Sequence, residues 1–153
     1  MGLAIMDAVP VLEFCASMIA IAARFQSPLF VVGAALSALA GCGKVAWKVL
    51  LAVRRRDVAW LTRQFRYLMS AGMALMLVAV VVAAATGALD VGAVAARVVR
   101  PPAVVFFVLW LVGMAAMGVM GARLDKRVAR NNWIEQFVNI FAQGMILIGV
   151  ALV

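Results

Sequence analysis

"YLMSAGMALMLVAVVVAAATG", residues 67–87, runs for 21 residues without one charged side chain. A helix needs about 20 predominantly apolar residues to cross the hydrocarbon of a bilayer. Immediately before it stands "RRRDVAWLTRQFR", residues 54–66, with Arg54, Arg55, Arg56, Arg63 and Arg66. A basic cluster that gives way abruptly to an uncharged run marks a membrane boundary.

The same alternation recurs along the whole chain. Of its 153 residues 68% are hydrophobic, with a mean hydropathy of +1.14. A soluble domain is roughly half apolar and a quarter charged. The expected fold is therefore all-α: a polytopic membrane protein forming a single domain over residues 1–153. Five spans are expected, at about 3–24, 28–53, 67–87, 102–122 and 132–153. A secretory signal is not expected, because Asp7 and Glu13 interrupt the first apolar run and no basic segment precedes it.

The net charge of +8 sits mainly in two connections rather than on one surface. The second is "ARLDKRVARNN", residues 122–132, with Arg123, Lys126, Arg127 and Arg130. The opposite side has only Arg24, Arg97 and Arg100. Positive loops stay in the cytoplasm, which sets the N-terminus inside and the C-terminus outside, in a bacterial inner membrane. Trp60, Tyr67 and Trp133 fall at the same cytoplasmic interface. Charge confined to loops argues against nucleic acid as a partner. It favours anionic lipid headgroups, held by Arg54, Arg55, Arg56, Arg63 and Arg66 on a short surface helix over residues 57–66. Asp57 is its expected N-cap, and Val58, Leu61 and Phe65 are its lipid-facing side. "LDVGAVAARVVRPP", residues 89–102, is either a second short helix stopped by the prolines or an irregular loop.

Within the spans, polar residues are few and patterned. "RNNWIEQFVNIFAQGMILIG", residues 130–149, holds Asn132, Glu135, Gln136, Asn139 and Gln143 within one arc of about 100° on a helix. At 1.5 Å per residue the row descends about 16 Å from the cytoplasmic surface, close to the midplane. Such a row faces protein or water rather than lipid. It is either a solvated pathway or interhelical glue, at roughly 0.6 kcal/mol for each amide.

The second span carries Gly33, Ser37 and Gly41, a small-residue pattern for close helix approach, in line with Lys44 and Lys48. Lys48 can extend to the surface, but Lys44 lies about 12 Å below the end of its span and needs a partner. Glu13, about 15 Å deep with Ser17 one turn further on, is the expected partner. The alternative is a later start to the first span, which leaves Glu13 at the interface. "GCGK", residues 41–44, lacks the glycine spacing and the Ser or Thr of a phosphate loop.

"QFRYLMSAGMALMLVAVV" from Gln64 and "QFVNIFAQGMILIGVALV" from Gln136 share Gln-Phe and Gly-Met at equal spacing. At the same offset Gly41 matches Gly113 and Arg55 matches Arg127. Either residues 28–81 and 101–153 are tandem helical hairpins following one extra helix, or apolar composition produces the match by coincidence.

The chain has no histidine, which excludes bis-histidine haem ligation, histidine zinc sites and a histidine base. Cys15 and Cys42 lie in apolar segments and read as buried free thiols. Met69, Met73 and Met76, and Met114, Met117 and Met120, form rows in which apolar filler is a commoner role than Cu(I) ligation. No metal, no cofactor and no enzymatic activity are expected, since no serine is paired to a base and no carboxylates cluster. Two functions remain in view. One is an oligomeric transporter or channel for an ion or small polar solute. The other is a non-transporting subunit whose stripes bind partner helices. Five short spans enclose little space, so both favour homo- or hetero-oligomers.

Overall fold

A computed structural model describes residues 2–54, 58–124 and 129–153. Among them every regular element is an α-helix: α1 (Gly2–Phe25), α2 (Pro28–Arg54), α3 (Ala59–Ala85), α4 (Val91–Val98), α5 (Ala103–Arg123) and α6 (Ala129–Leu152). All but α4 are long and apolar enough to cross a membrane. The chain is read as a multi-pass helical membrane protein. Arg55, Arg56, Asp57, Lys126 and Arg127 lie outside the described residues.

Local chemistry explains the breaks between helices. After α1, Gln26 takes φ 47 and its N–H reaches Ala22 O at 2.9 Å. Ser27 Oγ then accepts the N–H of Phe30 at 3.4 Å, and Pro28 occupies the first position of α2, where no N–H is needed. Phe25 and Phe30 meet edge to face across this turn, 5.4 Å apart. At the end of α3, the Thr86 hydroxyl donates to Val82 O at 2.9 Å, and Leu89 N–H reaches back to Ala83 O. Gly87 supplies the φ of 73 that this reversal requires.

The chain divides into two units, Met1–Val91 and Gly92–Val153. In the first, α2 packs along both α1 and α3. A Cβ on Gly33 would lie 2.6 Å from Gly72 O, and one on Gly72 would lie 2.5 Å from Gly33 O. No side chain larger than hydrogen fits at this crossing. Beside it Met18, Phe30, Met76 and Ala79 form the buried core, with Phe14, Ile21 and Leu29 against them. The small-residue stripe of α2 serves two neighbours. Gly33 and Ser37 face α3, whereas Gly41 sits against Val11 of α1.

In the second unit α5 packs along α6. A Cβ on Gly113 would lie 2.7 Å from the Ala142 Cβ, and Gly149 lies under the Phe107 ring. No residue of α4 is buried. The closest approaches are thus Gly33–Gly72 in one hairpin and Gly113–Ala142 in the other, positions that the 72-residue offset does not relate.

Several expectations need correction. No separate surface helix stands over residues 57–66, because α3 runs unbroken from Ala59. Nothing between Ala59 and Ala71 breaks a helix, since neither Gly nor Pro occurs there. At 27 residues α3 is about 40 Å long, enough to carry its first turns beyond a hydrocarbon layer of about 30 Å. Leu61 and Phe65 do not form an exposed face. Both are half-buried, and the Phe65 ring lies beneath Lys44. The exposed side carries Trp60, Arg63, Arg66 and Tyr67 instead. Residues 91–98 are helical, which settles the alternative left open for that connection. Cys42 is exposed rather than buried, although both thiols are free.

Candidate functional site

Two sets of polar side chains lie inside the spanning helices, one in each unit. The first is the row on α6. Gln136 is 4% exposed, and Asn132, Glu135, Asn139 and Gln143 are half-buried. The exposed side of the helix carries Ile134, Phe137, Phe141, Ile148 and Leu152. At 100° per residue the centres of the two rows stand about 180° apart. The row therefore lies on the more buried side of α6, opposite its exposed apolar side.

The row runs beside the line of contact with α5. Ala142 and Gly149 make that contact, and Gln143 Nε2 reaches the Met114 sulfur at 3.9 Å. Thioether sulfur is a weak acceptor, so this bond contributes little. Gln136 Oε1 is buried and has no hydrogen-bond partner among the described residues. A buried polar atom left in that state costs about 1–3 kcal/mol. The hairpin does not, by itself, satisfy its most buried amide.

The second set lies between α1 and α2. Here Lys48, 18% exposed, forms an ion pair with Asp7, 4% exposed. The partnership expected from sequence joined Lys44 to Glu13, and the paired groups are different ones. Helical register is the reason. In an antiparallel pair joined by a tight turn, residues equally far from the turn face each other. Phe25 meets Phe30, Val11 meets Gly41, and Asp7 meets Lys48. That register sets Glu13 against residues 39–42, none of which carries a formal charge at neutral pH. Lys44 Nζ instead lies 5.0 Å from the centroid of the Phe65 ring on α3. A cation over an aromatic face gains about 0.5–2 kcal/mol, more as water is excluded.

Glu13 Oε2 is buried and has no hydrogen-bond partner among the described residues. The Ser17 hydroxyl, fully buried, donates to the backbone carbonyl of Glu13 at 2.9 Å. Ser37 does the same to Gly33 O at 3.0 Å. Both hydroxyls are thus used within their own helices and offer no donor to a passing solute.

Sequence patterning passed over Asp7 except as an interruption in an apolar run. The signal was present: Asp7, Pro10, Phe14, Ser17 and Ile21 follow the spacing of one helix face. Counting outward from the turn at Gln26 and Ser27 would have brought Asp7 to within about two residues of Lys48.

The methionines of each row differ in burial. Met76 is in the core, Met73 is 52% exposed and Met114 is 40% exposed. Two hollows open at helix ends. One, of ≈ 280 Å³, lies among Phe25, Gln26, Leu29, Val82 and Thr86, and the other, of ≈ 260 Å³, lies among Arg97, Arg100, Pro102 and Leu152. No residue of the α6 row lines either one. Arg54, Arg63 and Arg66, expected to meet lipid headgroups, are all exposed. Comparison with protein-family models, with curated proteins and with solved structures finds no match, so the site is interpreted from its own residues.

Proposed function

We propose that this protein conducts an ion or a small polar solute across a bacterial inner membrane, as an oligomer, along the polar row of α6. The supporting observation is Gln136 Oε1, buried on the side of α6 opposite its exposed apolar side and without a partner in its own hairpin. Amides serving only as glue would meet one another or the backbone of α5. An acceptor left open at this depth is instead matched to water or a hydrated solute between assembled copies. In this arrangement the N-terminus is cytoplasmic, and Arg54, Arg63 and Arg66 hold the cytoplasmic face to anionic lipid. The shared Gln-Phe and Gly-Met pairs fit descent of residues 28–81 and 101–153 from one hairpin, with α1 added.

Flux through reconstituted vesicles tests the proposal. Asn139→Leu combined with Gln143→Leu should leave assembly intact, since each amide contributes only about 0.6 kcal/mol to helix association. Flux should fall, because an apolar wall gives a solute no replacement for its water. Loss of assembly in the variant, together with no flux in the wild type for any ion tried, removes conduction from consideration.

One observation favours a second function, that of a non-transporting subunit. Neither the hollow beside Phe25 nor the one beside Arg100 is lined by a residue of the row. On that account the row is a seat for a partner helix, and co-purification of a second membrane protein that depends on Gln136 and Asn139 would establish it.

A further inference from the structure

The two carboxylates of α1 are treated differently by the fold. Asp7 is enclosed and ion-paired to Lys48. Glu13 lies six residues further on, at the middle of Gly2–Phe25, about 17 Å from either end of the helix. A hydrocarbon half-layer is about 15 Å thick, so water does not reach this level from either surface. The side chain is half-buried, with Oε2 enclosed and unbonded. The hydroxyl nearest in sequence, that of Ser17, is committed to the backbone carbonyl of Glu13 rather than to its carboxyl.

The other ionisable groups on the two packed helices do not compensate Glu13. Lys48 is taken by Asp7, and Lys44 is directed to Phe65 on the third helix. Arg24 and Arg54 stand at helix ends, and Cys15 and Cys42 are thiols. An ionised carboxylate at this depth, without partner or water, is far more costly than a carboxyl that keeps its proton.

We propose that Glu13 is an uncharged carboxyl at the centre of the membrane, and that a lipid-soluble carbodiimide modifies it in preference to Asp7. The chemistry requires the proton. The carboxyl gives it to one carbodiimide nitrogen while its oxygen bonds to the central carbon, converting one C=N bond to C–N. The acyl group then migrates from that oxygen to nitrogen, leaving a stable N-acylurea. The step is an addition in which no atom leaves and nothing is oxidised. Asp7, held as a carboxylate against Lys48 and shielded, meets neither condition.

The full-length protein in liposomes is treated with dicyclohexylcarbodiimide and mapped by peptide fragmentation. The expected result is a single adduct on Glu13, lost in Glu13→Gln, with none on Asp7. A water-soluble carbodiimide supplied with an amine nucleophile should leave Glu13 unmodified. An adduct on Asp7, none on Glu13, or equal reaction of Glu13 with the water-soluble reagent overturns the proposal. The wild-type map alone decides the matter if Glu13→Gln does not fold. No flux is measured, so failure here leaves conduction along α6 standing, and an adduct forms whether or not the protein conducts.

Discussion

Lys48 of α2 reaches across to Asp7 of α1 and closes an ion pair on a carboxyl that is 4% exposed. It joins the two helices near the end opposite their connecting turn, where Phe25 and Phe30 already hold them together. The hairpin is thus fixed at both ends, by aromatic contact at one and by charge at the other.

Removing one member of this pair strands the other. Asp7→Leu or Lys48→Met should each lower stability by about 3–5 kcal/mol, the usual cost of an orphaned buried charge. Replacing both together, as Asp7→Leu with Lys48→Met, should recover most of that loss. Denaturant titration of the purified protein, arranged as a double-mutant cycle, reads the coupling. Additive losses would show that the two residues do not depend on each other.

The Gly33–Gly72 crossing has no room for a methyl group. Gly72→Ala directs a carbon at the Gly33 carbonyl and should cost about 1–3 kcal/mol as α2 and α3 separate. Gly118→Ala on α5 is the control, because a Cβ there meets nothing within 4 Å. That variant should remain within about 0.5 kcal/mol of wild type. Thermal unfolding in detergent compares the two.

Gln136→Leu separates two states of the same oxygen. If Oε1 faces water or solute, the variant loses no bond to protein, so the thermal midpoint should stay within a degree or two of wild type while flux falls. A midpoint lowered by several degrees would mean that a partner helix satisfies the amide in the assembled protein.

Orientation can be read chemically. In a background without Cys15 and Cys42, Ala59→Cys should resist an impermeant thiol reagent added to intact cells. Gly92→Cys, exposed beyond the far end of α3, should react. The reverse pattern inverts the topology.

Features that depend on one helix at a time were legible in the sequence. Runs of apolar residues broken by charge or proline mark the five long helices, because hydrocarbon sets both their length and their polarity. The division of α6 into an exposed apolar side and a more buried polar side was legible too. Whether Phe141 and Gln143 point in similar or different directions follows from 100° per residue, whatever α6 packs against. Contacts between helices were not accessible in this way. Lys44 and Lys48 share a face and a chemistry, and only the register set by the turn at Gln26–Ser27 gives Asp7 to Lys48 and leaves Glu13 without a lysine. The continuity of α3 through residues 59–71 was likewise obscured, because a charged segment reads as a separate surface helix until Phe65 is seen supporting Lys44. Side-chain direction along a helix is a local property of the backbone. Register between helices depends on turn geometry and close packing, as at Gly33 and Gly72, and it exists only once the chain has folded.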